Sequence, residues 1–169
     1  MPRALSFETM GTASGKGASS GPGPHRAQDA PATRDTDPVQ HAADEAARLL
    51  RADGAIVYLM DPNGETLHWA ADAGISNSPE RAWMRSMVVP LGVGMFGSAL
   101  ADRSVRITDD YPGDTTFQHA WMTDQVVRGT GIRSMVVAPM LDGEQRLGAL
   151  GVYSTRHAAM GEPLSLIHI

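Results

Sequence analysis

Several residue types that support common protein chemistries are absent or scarce in this chain. None of its 169 residues is a cysteine, which excludes disulfides, thiolate metal sites, thiol nucleophiles and thioether-linked chromophores from them. Lysine occurs once, at Lys16, and 14 basic side chains face 19 acidic ones, giving a formal net charge of −5. Because a negative chain is poorly suited to nucleic acid or to an anionic membrane surface, we expect neither as a partner.

Long apolar runs are also lacking. No run approaches the roughly 18 residues of a membrane-spanning helix, and the first residues contain no apolar core of a secretory signal. The length allows one domain plus tails. We therefore expect a soluble cytoplasmic protein that makes no membrane contact through this segment.

The two ends of the chain differ in composition from its middle. Residues 1–37 are rich in Gly, Ala, Ser and Pro and cannot bury enough apolar surface to offset their ordering entropy, so a disordered tail is predicted. Residues 164–169 match a translated transposase adaptor and are interpreted as a sequencing scar, with a genuine apolar strand or helix start as the alternative. Residues 38–163 then form the domain, and the chain is expected to be a truncated fragment.

Two apolar runs near the end of the domain predict a hairpin at the centre of a sheet. Ser134 to Met140 is almost continuously apolar, as expected for a strand covered on both faces. Asp142-Gly143 follows and suits a tight turn. The second run, Leu147 to Tyr153, alternates between two faces, with Ala149 and Tyr153 on the same one.

The remaining patterns predict an α+β fold with helices on both sides of an antiparallel sheet of about six strands. Helical spacing and cap residues indicate helices over residues 38–52, from Ser78 to about Met84, from the Gly92–Gly97 run through Ala101, and over 117–128. Period-two runs bounded by turn residues indicate further strands at 55–60, 65–71, 86–91 and 105–108.

In this order of elements the chain resembles a GAF domain, the sensory module of many bacterial signalling proteins, and most resembles those of sensor histidine kinases. The segments that carry the resemblance are Ala52–Ala55, Asp61–Glu65, Gly94–Leu100, Asp109–Tyr111, Arg133–Pro139 and Leu147–Val152. The resemblance implies an unidentified small-molecule ligand and a homodimer in the full-length protein. The family's closing C-terminal helix is expected to be missing after Glu162.

The resemblance places the ligand cavity between one sheet face and the segments from Gly94 to Ser134. The candidate ligand-binding residues there are Phe96, Ser98, Ile107, Asp109, Tyr111, Phe117, His119, Trp121, Met122 and Arg133. Aromatic walls with a few polar groups are typical of small-ligand pockets. The alternative is that the aromatic side chains only fill the core, as we also expect of the 10 methionines.

No catalytic residue, metal site or cofactor is identified. Bilin attachment and methionine sulfoxide reduction in this family need cysteine, and the cyclic-nucleotide signature needs a lysine that is absent outside the tail. The Gly92–Gly97 run lacks the parallel sheet that a phosphate-binding fingerprint requires. His119 alone offers a possible haem ligand.

Three functions remain open. The favoured one is a non-catalytic sensory domain, the input module of a two-component histidine kinase. The second is a dimerisation module that senses nothing. The third is a haem-based redox or gas sensor.

Overall fold

The computed structural model describes residues 37–159. Three predictions lie outside that range. They are the tail at 1–37, except for Asp37, the segment 164–169 and the loss of a closing helix. The structure contains, in chain order, α1 (Pro38–Leu49), β1 (Gly54–Met60), β2 (Thr66–Ala73), α2 (Pro79–Ser86), β3 (Val88–Pro90), α3 (Gly94–Asp102), β4 (Arg106–Thr108), a 3₁₀ turn (Tyr111–Gly113), α4 (Trp121–Thr130), β5 (Ser134–Asp142) and β6 (Gln145–Ser154).

The six strands form one sheet in the order β3-β2-β1-β6-β5-β4, and every neighbouring pair is antiparallel. The hairpin of β5 and β6 lies inside the sheet, because β6 also pairs with β1 and β5 with β4. This arrangement confirms the predicted α+β class and the central position of the hairpin.

Helices cover both faces of the sheet, as predicted. One core cluster lies beneath α2, α3 and α4 and contains Ala149 and Tyr153 of β6. The other lies beneath α1 and contains Val152, with Leu150 packed against it. Because side chains alternate along a strand, these four residues confirm the faces predicted for β6.

Local sequence signals explain where two of the helices begin. The Asp37 side chain accepts a hydrogen bond from the Val39 backbone N–H at 2.9 Å, and Pro38 occupies the first turn of α1. Ser78 and Pro79 open α2 in the same way. Such caps satisfy N–H groups that have no partner inside the helix.

The predicted start of the helix over 117–128 was wrong. Residues 117–120 form a loop, and α4 begins at Trp121 and continues to Thr130. The loop is held outside the helix because Phe117 is buried and the Gln118 carbonyl accepts a hydrogen bond from the Gly94 N–H at 3.0 Å. Gly131, in the left-handed conformation at φ 73°, then ends the helix.

Two smaller boundaries also differ. Asp142 pairs with Gln145, so the turn residues of the central hairpin are Gly143 and Glu144 rather than Asp142 and Gly143. Gly143 has φ 54°, which explains the glycine, and a register shift before Leu141 accommodates the displaced turn. The third strand spans only Val88–Pro90, because α2 extends through Ser86.

Candidate functional site

A small cavity of about 30 Å³ lies between the sheet and the helices α2, α3 and α4. This volume is roughly the share of one molecule in liquid water. The cavity is lined by Ile56, Tyr58, Met84, Met87, Val89, Gly94, Met95, Phe96, Tyr111, Thr123, Val126, Val127, Ile132 and Met135. No charged side chain is among them, so the cavity is almost wholly apolar.

The polar side chains at the cavity are two phenols and Thr123. The Tyr111 hydroxyl is buried and has no hydrogen-bond partner among the described residues. The Tyr58 hydroxyl donates to the Met84 carbonyl at a long 3.4 Å. Burial raises the pKa of both Tyr58 and Tyr111, so both hydroxyls keep their protons at neutral pH. The cavity therefore offers donors to a ligand but no ionic partner.

Four methionines contribute to the cavity wall. Met84 comes from α2, Met87 directly follows that helix, Met95 comes from α3 and Met135 from β5. Methionine has three rotatable bonds and a polarizable sulfur, so it adapts its shape to a neighbour more readily than leucine does. A wall of this kind can change the volume it encloses without breaking backbone hydrogen bonds.

An open groove of about 360 Å³ adjoins the cavity on the molecular surface. Its wall is formed by Ser86, Met87, Val88, Val89, Pro90, Val93, Ala120, Trp121, Met122 and Thr123. Met87, Val89 and Thr123 line both spaces, so they form the partition between the groove and the cavity. Trp121 is 67% exposed and Met122 43% exposed, so the groove presents large apolar side chains to solvent.

The structure brings some of the predicted site residues together around the cavity. Phe96 and Tyr111 line it directly. Phe117 and His119 lie beside Tyr111, with ring centroids 5.1 and 5.3 Å from the Tyr111 ring, and stack on each other at 4.6 Å. These two side chains support the tyrosine without lining the cavity.

Three predicted residues do not line this cavity. Trp121 and Met122 face the groove, because α4 begins only at Trp121 and its first turn reaches the surface. Ile107 pairs with Val136, which belongs to the core cluster beneath α1, so it lies on the opposite sheet face and is 49% exposed.

The last three predicted residues have local structural partners. The Ser98 hydroxyl donates to the Gly92 carbonyl at 3.1 Å and supports the start of α3. Asp109 is exposed, and its backbone carbonyl accepts from the Ala158 N–H. Arg133 is exposed and lies 3.4 Å from the Asp110 carboxylate.

His119 has no free ring nitrogen for a haem iron. Its Nδ1 lies 2.8 Å from the Asp124 carboxylate and its Nε2 lies 2.6 Å from the Asp114 carbonyl oxygen. Both partners only accept hydrogen bonds, so the ring satisfies both only as an imidazolium. The pKa of His119 is raised, and the largest cause is the hydrogen bond to Asp124. The residues present therefore do not fit a haem ligated by His119, and within residues 37–159 no three His, Asp or Glu side chains are grouped to hold a metal ion.

Helix α2, which covers the cavity, is fixed to β2 by two arginines. Arg81 donates from Nε to both oxygens of the buried Asp72 carboxylate at 3.0 and 3.2 Å. Arg85 lies over the Trp69 ring, 4.2 Å from its centroid. The Asp72 carbonyl also accepts from Gln40 of α1 at 2.9 Å, so Asp72 connects helices on opposite faces of the sheet.

Sequence reasoning missed most of the cavity wall. Ile56 and Tyr58 share one face of β1 and were predictable as inward-facing residues from strand alternation. The methionines were a second indication of the cavity wall, but they were interpreted as residues that only fill the core. The contribution of α2 to the cavity wall was not predictable from the sequence, because nothing in its own residues shows that the helix covers this space.

Comparison with known proteins agrees with this architecture. The family model of the GAF domain matches residues 37–165, which is more than half of the chain, so the chain belongs to the GAF domain family. No curated protein sequence matches it.

Solved structures with the same fold include proteins of different activities. A free methionine-R-sulfoxide reductase from Neisseria meningitidis is 20% identical, with a TM-score of 0.57 over 75% of this chain and 66% of that chain. The GAF domain of an Acinetobacter phosphoenolpyruvate-protein phosphotransferase is 15% identical, with a TM-score of 0.54 over 76% of this chain and 73% of that one. A Staphylococcus aureus NreA protein mutated in its nitrate binding site is 13% identical, with a TM-score of 0.57 over 71% and 86%. At these identities the likeness shows the fold alone.

The fold and the family define a domain that is generally regulatory or sensory. Its neighbours include a reductase, so family membership alone does not decide whether this member is catalytic. Within residues 37–159, none of the helices has the length and apolar character needed to span a bilayer.

Proposed function

We propose that this GAF domain senses a small molecule for a signal-transduction protein and performs no catalysis itself. The observation that carries the proposal is the cavity beneath α2, whose wall includes Tyr111, a side chain with a buried hydroxyl that has no partner among the described residues. A buried donor that makes no hydrogen bond is costly, and a ligand acceptor would remove that cost. A chain without cysteine also lacks a thiol for sulfoxide reduction.

The proposed signal begins with movement of the segments that cover the cavity. At about 30 Å³ the cavity is far smaller than the roughly 300 Å³ or more of ordinary ligand pockets, so a ligand must displace part of the wall. We expect the segment 109–123 and α2 to shift, because they carry Tyr111, Thr123 and Met84. The contacts of Asp72 with Arg81 and with Gln40 then connect α2 to α1.

The surrounding protein is proposed to be a cytoplasmic two-component histidine kinase, in which this domain is the input module and forms a homodimer. Support for this context comes from the sequence resemblance. In that setting α1 and its partner copy pass the ligand-induced change to an output domain as a shift in population between two states.

A non-sensing dimerisation module is the competing function, and hydrogen exchange separates the two. The 169-residue chain is incubated with a library of metabolites, and exchange is followed in residues 109–123. A sensory domain shows slower exchange there with at least one compound, because the ligand orders the segment. Unchanged exchange with every compound, in a protein that unfolds cooperatively, contradicts the proposal and favours the scaffold.

A further inference from the structure

We infer that the ligand is a neutral, mainly apolar molecule with one hydrogen-bond acceptor, and that it occupies the cavity and the outer groove as one continuous site. This inference rests on the proposed sensory function and adds the chemical class of the ligand. It follows from three features of the described residues: the charge of the walls, the position of the unpartnered donor and the partition between the two spaces.

The walls of both spaces contain no Asp, Glu, Lys, Arg or His. An ionised ligand that enters loses its hydration and meets no opposite charge, which apolar contacts do not offset. Nitrate, carboxylates, phosphates and zwitterionic amino acids are therefore poor occupants. A neutral molecule loses little hydration and gains from burial of its apolar surface.

The hydrogen-bonding groups of the walls favour an acceptor on the ligand. Among the described residues the Tyr111 hydroxyl has no partner, whereas the Tyr58 hydroxyl donates its proton to the Met84 carbonyl at 3.4 Å. The free donor is therefore that of Tyr111. A carbonyl, ether or hydroxyl oxygen of the ligand satisfies it, whereas a pure hydrocarbon leaves it without a partner.

The partition indicates how the two spaces join. The flexible Met87 side chain lines both the cavity and the groove, so a change of its rotamer opens one into the other. The groove alone measures about 360 Å³, and joining it to the cavity gives a site in the range of roughly 300–1,000 Å³ typical of small ligands. The exposed ring of Trp121 then offers a flat surface to an aromatic or alicyclic body.

Three probes of similar size test the ligand class. Acetophenone is neutral with one carbonyl acceptor, benzoate is anionic, and ethylbenzene is neutral without an acceptor. Each is titrated into the 169-residue chain carrying ¹³C-methyl methionine, and methyl resonances are followed by NMR. Acetophenone is expected to shift Met84, Met87, Met95 and Met122 saturably, covering the cavity and the groove. Met140, which packs on the opposite sheet face, serves as the internal control.

Tyr111→Phe removes the hydroxyl and keeps the ring, so it isolates the hydrogen bond. It is expected to weaken acetophenone binding roughly 2- to 10-fold, as for one net hydrogen bond, and to leave ethylbenzene binding unchanged. An unchanged acetophenone affinity overturns the role of Tyr111. Shifts confined to Met122 overturn the continuous site, because the probe then occupies the groove alone.

The outcomes also separate this inference from the sensory function itself. If benzoate or another anion shifts the cavity methyls as strongly as acetophenone, the neutral class is wrong while the sensory function stands. If neither the probes nor the metabolite library shift any cavity methyl, the sensory function fails as well. If acetophenone binds and benzoate does not, both are supported.

Discussion

The Asp72 carboxylate is 1% exposed and is held by Arg81, whose Nε donates to both of its oxygens at 3.0 and 3.2 Å. The pair joins the strand β2 to α2, the helix that carries Met84 over the cavity and is followed directly by Met87. A charge this deeply buried requires a partner, so the ion pair fixes where α2 can lie.

Removal of the arginine is expected to destabilise the fold. Arg81→Met leaves the buried Asp72 carboxylate unpaired and should lower the free energy of unfolding by about 2–3 kcal/mol in urea titrations. The double variant Asp72→Leu/Arg81→Met should be more stable than Arg81→Met alone, because it buries no unpaired charge. Equal stability of the two variants would show that the pair is energetically unimportant. Arg48→Ala, which removes an exposed pair with Glu45, serves as the control and should change little.

Two helical glycines provide a matched test of backbone contact. A Cβ at Gly97 would lie 2.3 Å from the Pro90 carbonyl oxygen, which is part of the backbone and cannot move aside. A Cβ at Gly129 would lie 2.4 Å from Cγ of Glu80, a side chain that is free to rotate away. Gly97→Ala should cost about 1–3 kcal/mol of stability.

Gly129→Ala should be tolerated, because the gain in helix propensity of up to about 1 kcal/mol offsets the shift of Glu80. Chemical denaturation of both variants gives the comparison. A larger loss for Gly129→Ala than for Gly97→Ala would mean that the contact between α2 and α4 is more rigid than the start of α3.

The size of the cavity leads to a prediction about Val126, which lines it. Val126→Ile adds one methylene to a space of about 30 Å³, so the protein should keep its stability or gain up to about 1 kcal/mol. Any ligand response of the cavity methyls should weaken, because the space is filled. Val137→Ile is the control: Val137 is fully buried on the same face but does not line the cavity, and overpacking there should cost about 1–3 kcal/mol. Equal effects of the two substitutions would contradict a cavity at Val126.

The parts of the fold that were predictable from sequence depend on near neighbours in the chain. The alternation around Ala149 and Val152 predicted the faces of β6, and Asp37 and Ser78 marked where helices begin. The cavity depends instead on distant segments that meet only after folding. Trp121 illustrates the limit, because an aromatic residue in the expected region faces the groove once its helix starts four residues later than predicted.

The contacts of His119 predict how stability depends on pH. The hydrogen bond to Asp124 is the largest cause of a raised pKa in the folded chain, and the Asp114 carbonyl binds the other ring nitrogen. The negative charges of Asp124 and Asp114 also raise the pKa of His119, Arg128 lines the same surface pocket, and Phe117 and Tyr111 pack against the ring without adding charge at neutral pH. Because the folded pKa lies above the unfolded value of 6.5, the imidazolium contributes stability that is fully present below that value. This contribution is lost as the pH rises through the folded pKa.

The free energy of unfolding of the wild-type chain relative to His119→Gln should therefore be largest near about pH 5.5 and should shrink towards about pH 9. Asp124→Asn keeps the histidine but removes its charged acceptor, so this variant should lose most of the same pH dependence. A difference between wild type and His119→Gln that stays constant across the range would show that folding does not shift the pKa of the ring. Since His119 packs against Tyr111, the same titration with a bound ligand would reveal whether protonation of this ring and occupation of the cavity are coupled.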